Sequence, residues 1–158
     1  MSWMARLVAA AIPALVFVAS ASAVELDPKA VVYTLPDDIK WVENKQSGSA
    51  NVVIAGDPTK PGLYVVLTKW HAGNHFSRPH WHPNDRFITV IKGTWWVGSG
   101  PNFDPANSTV PLHAGTVVTH YGRQVHYDGA KDEDAVLLIV GEGPATSTPF
   151  VAATDMKK

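Results

Sequence analysis

His80-Trp81-His82-Pro83-Asn84-Asp85-Arg86-Phe87-Ile88-Thr89-Val90-Ile91-Lys92-Gly93 is the stretch that decides how this chain reads. Side chains alternate along a strand with period two, so His80 and His82 project from one face. Two neutral imidazoles on one face suit a transition-metal ion. From His82 an even spacing of four keeps Arg86 on the same face, unless Pro83-Asn84 introduces a bulge. The run from Arg86 to Ile91 is β-branched and aromatic, and Lys92-Gly93 closes it as a turn.

Working outward, similar short β-rich runs recur, separated by Gly, Pro, Asn and Asp. They predict strands at Ile39 to Val42, Asn51 to Ala55, Leu63 to Trp70, Arg86 to Ile91, Thr94 to Val97, Thr116 to His120 and Ala135 to Val140. No segment of ten residues or more carries apolar residues at helical spacing, so the fold class expected is all-β, a sandwich or barrel. Gly98 to Asn107 and Asp128 to Asp134 read as loops, and Gly143 to Lys158 as an arm or frayed tail. Ala135 to Val140 is apolar on both faces, which suits a central strand or a subunit interface. Of Trp95 and Trp96, one is expected inside the barrel and the other outside.

The N-terminus is read separately. Arg6, the apolar run Leu7 to Val18 and the small residues Ala21 and Ala23 have the form of a secretory signal, residues 1–23, cleaved after Ala23. The run is short for a bilayer span. Residues 24–158 then form one domain, with a core from about 39 to 143, and the expected location is periplasmic or secreted. The chain contains no cysteine, which excludes disulfides, thiolate metal sites and a cysteine nucleophile. The formal net charge is −1, one unit more negative without Arg6, and no basic cluster stands out. Nucleic acid and, after cleavage, membrane are therefore not expected partners, and a small-molecule ligand is.

Of seven histidines, His126 lies in a second turn-and-strand setting. Together the two pieces resemble the cupin superfamily. Its first motif runs Gly, a short gap, His-x-His, three or four residues, Glu, six residues, Gly. Here it stands as Gly73, a gap one residue longer, His80-Trp81-His82, three residues, Arg86, six residues and Gly93. The second motif runs Gly, five residues, Pro-x-Gly, two residues, His, three residues, Asn. Here it stands as Gly115, five residues, Tyr121-Gly122-Arg123, two residues, His126, three residues and Ala130. Glycines and histidines match, but Glu, Pro, the second Gly and Asn do not. The resemblance covers about Leu63 to Val140.

It implies a single jelly-roll β-barrel in which His80, His82 and His126 hold one divalent metal ion. Copper and zinc are favoured by the Irving–Williams order, iron and manganese by the resemblance. The implied activity is that of a metalloenzyme on a small anionic molecule: a dioxygenase, or a metal-dependent lyase, isomerase or hydrolase. A non-catalytic periplasmic metal or small-molecule binding or sensing module is the alternative. A homodimer is expected from the resemblance and from Ala135 to Val140. Arginine cannot ligate a metal, so two readings stand at Arg86. It binds a substrate carboxylate, or it swings outward and Asp85 points inward as a substitute ligand. His120 and Tyr121 are further expected substrate contacts, with His75 as another candidate.

Overall fold

The computed structural model describes residues 24–151. Two compact units divide at Thr34 and Leu35. In the first, residues 24–34 carry a turn in which Asp27 accepts from the backbone of Lys29, Ala30 and Val31. The expected signal lies outside the described residues. Among the described residues, no helix is long and apolar enough to cross a membrane.

In the second unit, after a 3-10 turn at Pro36–Asp38, the regular structure of the described residues is all strand. In chain order the strands are β1 (Val42–Asn44), β2 (Ser49–Ala55), β3 (Gly62–Trp70), β4 (His75–Phe76), β5 (His80–Trp81), β6 (Arg86–Lys92), β7 (Thr94–Ser99), β8 (Val110–His113), β9 (Val117–His120), β10 (His126–Ala130), β11 (Ala135–Gly143) and β12 (Thr148–Pro149). One sheet runs β1-β2-β3-β11-β6-β9. The other runs β12-β5-β10-β7-β8, with β4 also on β10. Every pairing is antiparallel. Two antiparallel sheets enclosing one core make the expected jelly roll.

Inward-facing side chains fill the space between the sheets, at every second residue as the pleat requires. Tyr64 and Trp70 on β3, Ile88 and Val90 on β6, Trp95 on β7, Ala130 on β10, and Ala135, Leu137 and Ile139 on β11 form the apolar core. β11 is the central strand expected, paired with β3 and β6. Its alternate residues Val136, Leu138 and Val140 are half-buried on the outer face. Trp95 is buried, whereas Trp96 lies on the other face under the Lys131 ammonium, 3.7 Å from the ring centre.

Two expectations are corrected, and a third is decided between its two readings. Residues 126–130 form a strand buried along its whole length, although Asp128 and Gly129 had marked the start of a loop. Gly129 is there for closeness: a Cβ on it would strike the His75 carbonyl and the Phe76 backbone on β4. Of the two readings for the segment after Gly143, the described residues to Val151 form an arm and not a frayed tail. Thr148–Pro149 pairs with β5, and the Phe150 amide donates to the Pro79 carbonyl at 2.8 Å. β1 also begins at Val42, where the expected first strand ended.

Candidate metal centre

β5 and β10 meet with His80 opposite His126, and β6 and β9 meet with Arg86 opposite His120. His82 follows β5 by one residue and Asp128 follows His126 by two, so both face the same interior. His82, His120, His126 and Asp128 are buried and His80 is half-buried.

The backbone sets the tautomer of the three expected ligands. His80 Nδ1–H donates to the Arg78 carbonyl at 2.8 Å, His82 Nδ1–H to Thr146 at 2.9 Å and His126 Nδ1–H to Gln124 at 3.1 Å. A carbonyl only accepts, so each Nδ1 carries the hydrogen and each Nε2 keeps its lone pair. The ligand nitrogens of the three lie within 4.8 Å of one another. His80 Nε2 and His82 Nε2 are 3.1 Å apart. Two lone pairs at that distance repel, and a cation between them removes the repulsion. The three residues therefore fit a metal ion, with the ring orientation held by the other nitrogen as metal-binding histidines require.

Burial holds His82, His120 and His126 neutral. The His82 pKa falls from 6.5 to about 3, first through desolvation and then through the Arg86 charge and the neighbouring histidines. Desolvation likewise lowers His126 to about 4, although Asp128 opposes the shift. His120 falls to about 2, by desolvation and then by His126 and Arg86. At His82 and His126 a metal meets deprotonated ligands at neutral pH, so these two need release no proton to bind it.

Arg86 points inward, which settles its direction against the outward reading. Its guanidinium donates to His120 Nδ1 at 3.2 Å and His126 Nε2 at 3.3 Å. Its Nε is buried without a partner. Burial lowers its pKa, opposed by the Asp128 charge and by Tyr64, and it keeps its charge. Asp85 faces solvent and accepts from the Gly122 amide at 2.7 Å, so it does not serve as a substitute ligand. That bond, with the Arg123 amide donating to the His82 carbonyl at 2.6 Å, ties the two motif segments together.

His120 touches Arg86 and stacks near Trp95, with ring centres 5.3 Å apart. Accepting from Arg86 at Nδ1 places its hydrogen on Nε2, where it has no acceptor. Tyr121 is 65% exposed on the turn after β9 and does not line the interior cavity. His75 is also exposed. The cavity, about 250 Å³, is lined by His80, His82, Arg86 and Asp128, by the hydroxyls of Ser49, Thr68, Ser77 and Ser147, and by Trp70, Trp95 and Ile88 among its apolar wall. Asp128 is the residue the sequence reading missed. Its carboxylate accepts from Ser77 Oγ at 3.4 Å, and with His120 and His126 it forms a second group with metal-ligand spacing. Its signal was the two-residue step from His126.

No protein-family model matches the sequence, and no curated protein matches it. The fold, however, is similar to solved structures. The polyketide cyclase RemF from Streptomyces resistomycificus superposes with a TM-score of 0.62 and 13% identity, over 79% of this chain and 89% of its own. KdgF from Halomonas sp. does so with a TM-score of 0.54 and 18% identity, over 71% and 93%. An RmlC-like cupin from Shewanella frigidimarina gives 0.54 and 15%, over 72% and 90%. In backbone path the chain is similar to these structures, and its fold, two antiparallel sheets around one core, is the jelly roll seen in cupins.

Proposed function

We propose that the protein is an exported metal-dependent enzyme acting on a small anionic organic molecule. The observation that carries this reading is the convergence of the His80, His82 and His126 Nε2 lone pairs, each imposed by a backbone carbonyl on Nδ1. A bound divalent ion supplies Lewis-acid polarisation, or redox chemistry if it is iron, manganese or copper. The rest falls to the chain itself. Arg86 gives the cavity a permanent positive charge for orienting a carboxylate. Asp128, on the cavity wall, is placed to accept a proton from a bound molecule. The hydroxyls of Ser49, Thr68, Ser77 and Ser147 offer hydrogen bonds, and the walls of Trp70, Trp95 and Ile88 limit water.

Neighbours in fold support the small-molecule class. They include a polyketide cyclase and KdgF, and DMSP lyases are among the similar structures. Export is supported by the signal-like residues 1–23, and a periplasmic or secreted location follows from it. A homodimer is supported by the outer face of the β1-containing sheet, where Leu63, Phe87 and Val117 are exposed.

Metal content of protein purified from its native compartment tests the core of this reading. Stoichiometric iron, manganese, zinc or copper is expected. His80→Ala with His126→Ala is expected to lose it, with the far-ultraviolet circular dichroism of the barrel retained. Wild-type protein that takes up no metal, even after incubation with each ion, would remove the basis for the proposal. Turnover assays across hydroxy-, keto- and unsaturated acids, with oxygen consumption followed in parallel, separate oxygenase from lyase, isomerase or hydrolase. Metal binding without turnover of any of them favours the binding or sensing module.

A further inference from the structure

Arg86 occupies the position at which an acidic ligand would be sought, and its contacts there are poor. Its terminal nitrogen donates to His126 Nε2 at 3.3 Å, the same lone pair a metal needs. Its other partner, at 3.2 Å, is the neutral His120 Nδ1. No carboxylate lies within ion-pair distance of it among the described residues, and its Nε is buried with no acceptor. Buried guanidinium groups are held by anions in bidentate contacts, and leaving one without such a partner is costly. The group nevertheless lines the cavity together with His80 and His82.

The surroundings hold an excess of donors. Arg86 Nε–H, His120 Nε2–H, Trp95 Nε1–H and Tyr64 O–H are all buried without acceptors. Arg86 touches His120, and His120 stacks near Trp95. Gly141 stands between Arg86 and Tyr64 across the sheet, opposite both in register. A Cβ at Gly141 would lie 2.6 Å from the Tyr64 hydroxyl, so the missing side chain leaves the room that the Tyr64 ring occupies beside Arg86. Among the described residues, Asp128 is the only carboxylate on the cavity wall. A divalent cation added beside Arg86 would leave the cavity with more positive charge than Asp128 balances.

We infer that Arg86 is a built-in competitor for the metal and that a small oxyanion, of the carboxylate type, relieves the competition. In the metal-free protein the guanidinium caps His126 Nε2. Metal binding takes that lone pair, and the freed guanidinium donates to a carboxylate that lies beside the ion. Metal and carboxylate then bind with positive coupling, and coupling of binding is reciprocal. The inference rests on the three-histidine reading above and adds an obligatory anionic class of ligand to it.

Calorimetric titration of Zn²⁺ into metal-free wild-type and Arg86→Gln protein, with acetate or with chloride at equal ionic strength, tests it. Arg86→Gln is expected to bind Zn²⁺ more tightly than wild type in chloride. Acetate is expected to tighten Zn²⁺ binding to wild type by about 5- to 150-fold, the usual range of such couplings, and to leave Arg86→Gln unchanged. In wild type, the NMR signal of the Arg86 Nε–H is expected to shift with acetate only when Zn²⁺ is bound, a readout that needs no variant to fold. If both proteins bind Zn²⁺ alike and acetate moves neither affinity nor signal, the metal centre stands and the coupling is overturned. If neither binds Zn²⁺, both fall together.

Discussion

The two ends of the barrel interior are built by the same strands and differ in almost everything else. Along β6 the inward row runs Arg86, Ile88, Val90, and along β10 it runs His126, Asp128, Ala130. Each strand thus passes from polar side chains to hydrocarbon over five residues. The apolar end packs Val90, Leu137 and Ala135 almost entirely out of water. The polar end keeps a cavity and four buried polar atoms without partners. Such orphans each cost stability. The contrast teaches that one end holds the barrel closed while the other carries a tension that a ligand relieves.

Acid is the sharpest way to break that balance. His82, His120 and His126 have folded pKa values of about 3, 2 and 4 against 6.5 in the open chain. The unfolded chain therefore binds more protons than the fold between pH 6.5 and about 4, so stability rises with pH across that window and levels above it. Each histidine contributes up to about 1.4 kcal/mol per pH unit there. Metal-free protein is expected to lose thermal stability steeply from pH 7 to pH 5. A melting temperature unchanged over that interval would show that the polar end is not held neutral by burial.

At the apolar end the next largest effect is expected from Leu137→Ala. Leu137 is 1% exposed between Val90 and Thr68 in register, where the apolar packing meets the cavity wall without supplying a ligand. Its truncation is expected to cost about 2–5 kcal/mol in chemical denaturation, while Zn²⁺ affinity of the folded protein stays near wild type. His82→Ala is expected to do the reverse, with metal affinity lost and a smaller change in unfolding. Parallel losses in both properties for both variants would mean that the two ends are one cooperative unit.

How far the sequence disclosed this arrangement differs between the two ends. The apolar end was readable because Leu63 to Trp70, Arg86 to Ile91 and Ala135 to Val140 are long enough to show their pattern. His80 and His82 were also readable, since even spacing on a strand fixes the face, whereas two directions, inward and outward, stood open for Arg86. The missed pieces are short or disguised. β4, β5 and β12 have two residues each, too few for any periodicity. β10 was cut short because Asp128-Gly129 has turn composition, although Gly129 serves the approach of β4. The Thr146 carbonyl that orients His82 comes 64 residues later, and backbone acceptors leave no mark in side-chain pattern. Tyr121, expected as a substrate contact, is one odd step from His120 and faces outward.

The smallest expected effect concerns the joint between the two motif segments. The chain has Arg123 where the motif it resembles has glycine, and Arg123 takes a φ of +62°. A side chain in the left-handed region costs roughly 1–2 kcal/mol relative to the right-handed one, a penalty glycine escapes. Opposing this, glycine gives the unfolded chain more freedom to lose. The steric term is the larger, so Arg123→Gly is expected to raise stability by less than about 1 kcal/mol. The Arg123 amide holds the His82 carbonyl, and the variant keeps that amide, so metal affinity is expected to hold or rise slightly. A loss of stability would show that the Arg123 side chain contributes to the joint. A loss of metal affinity with stability intact would show instead that this turn positions His82 through more than its backbone.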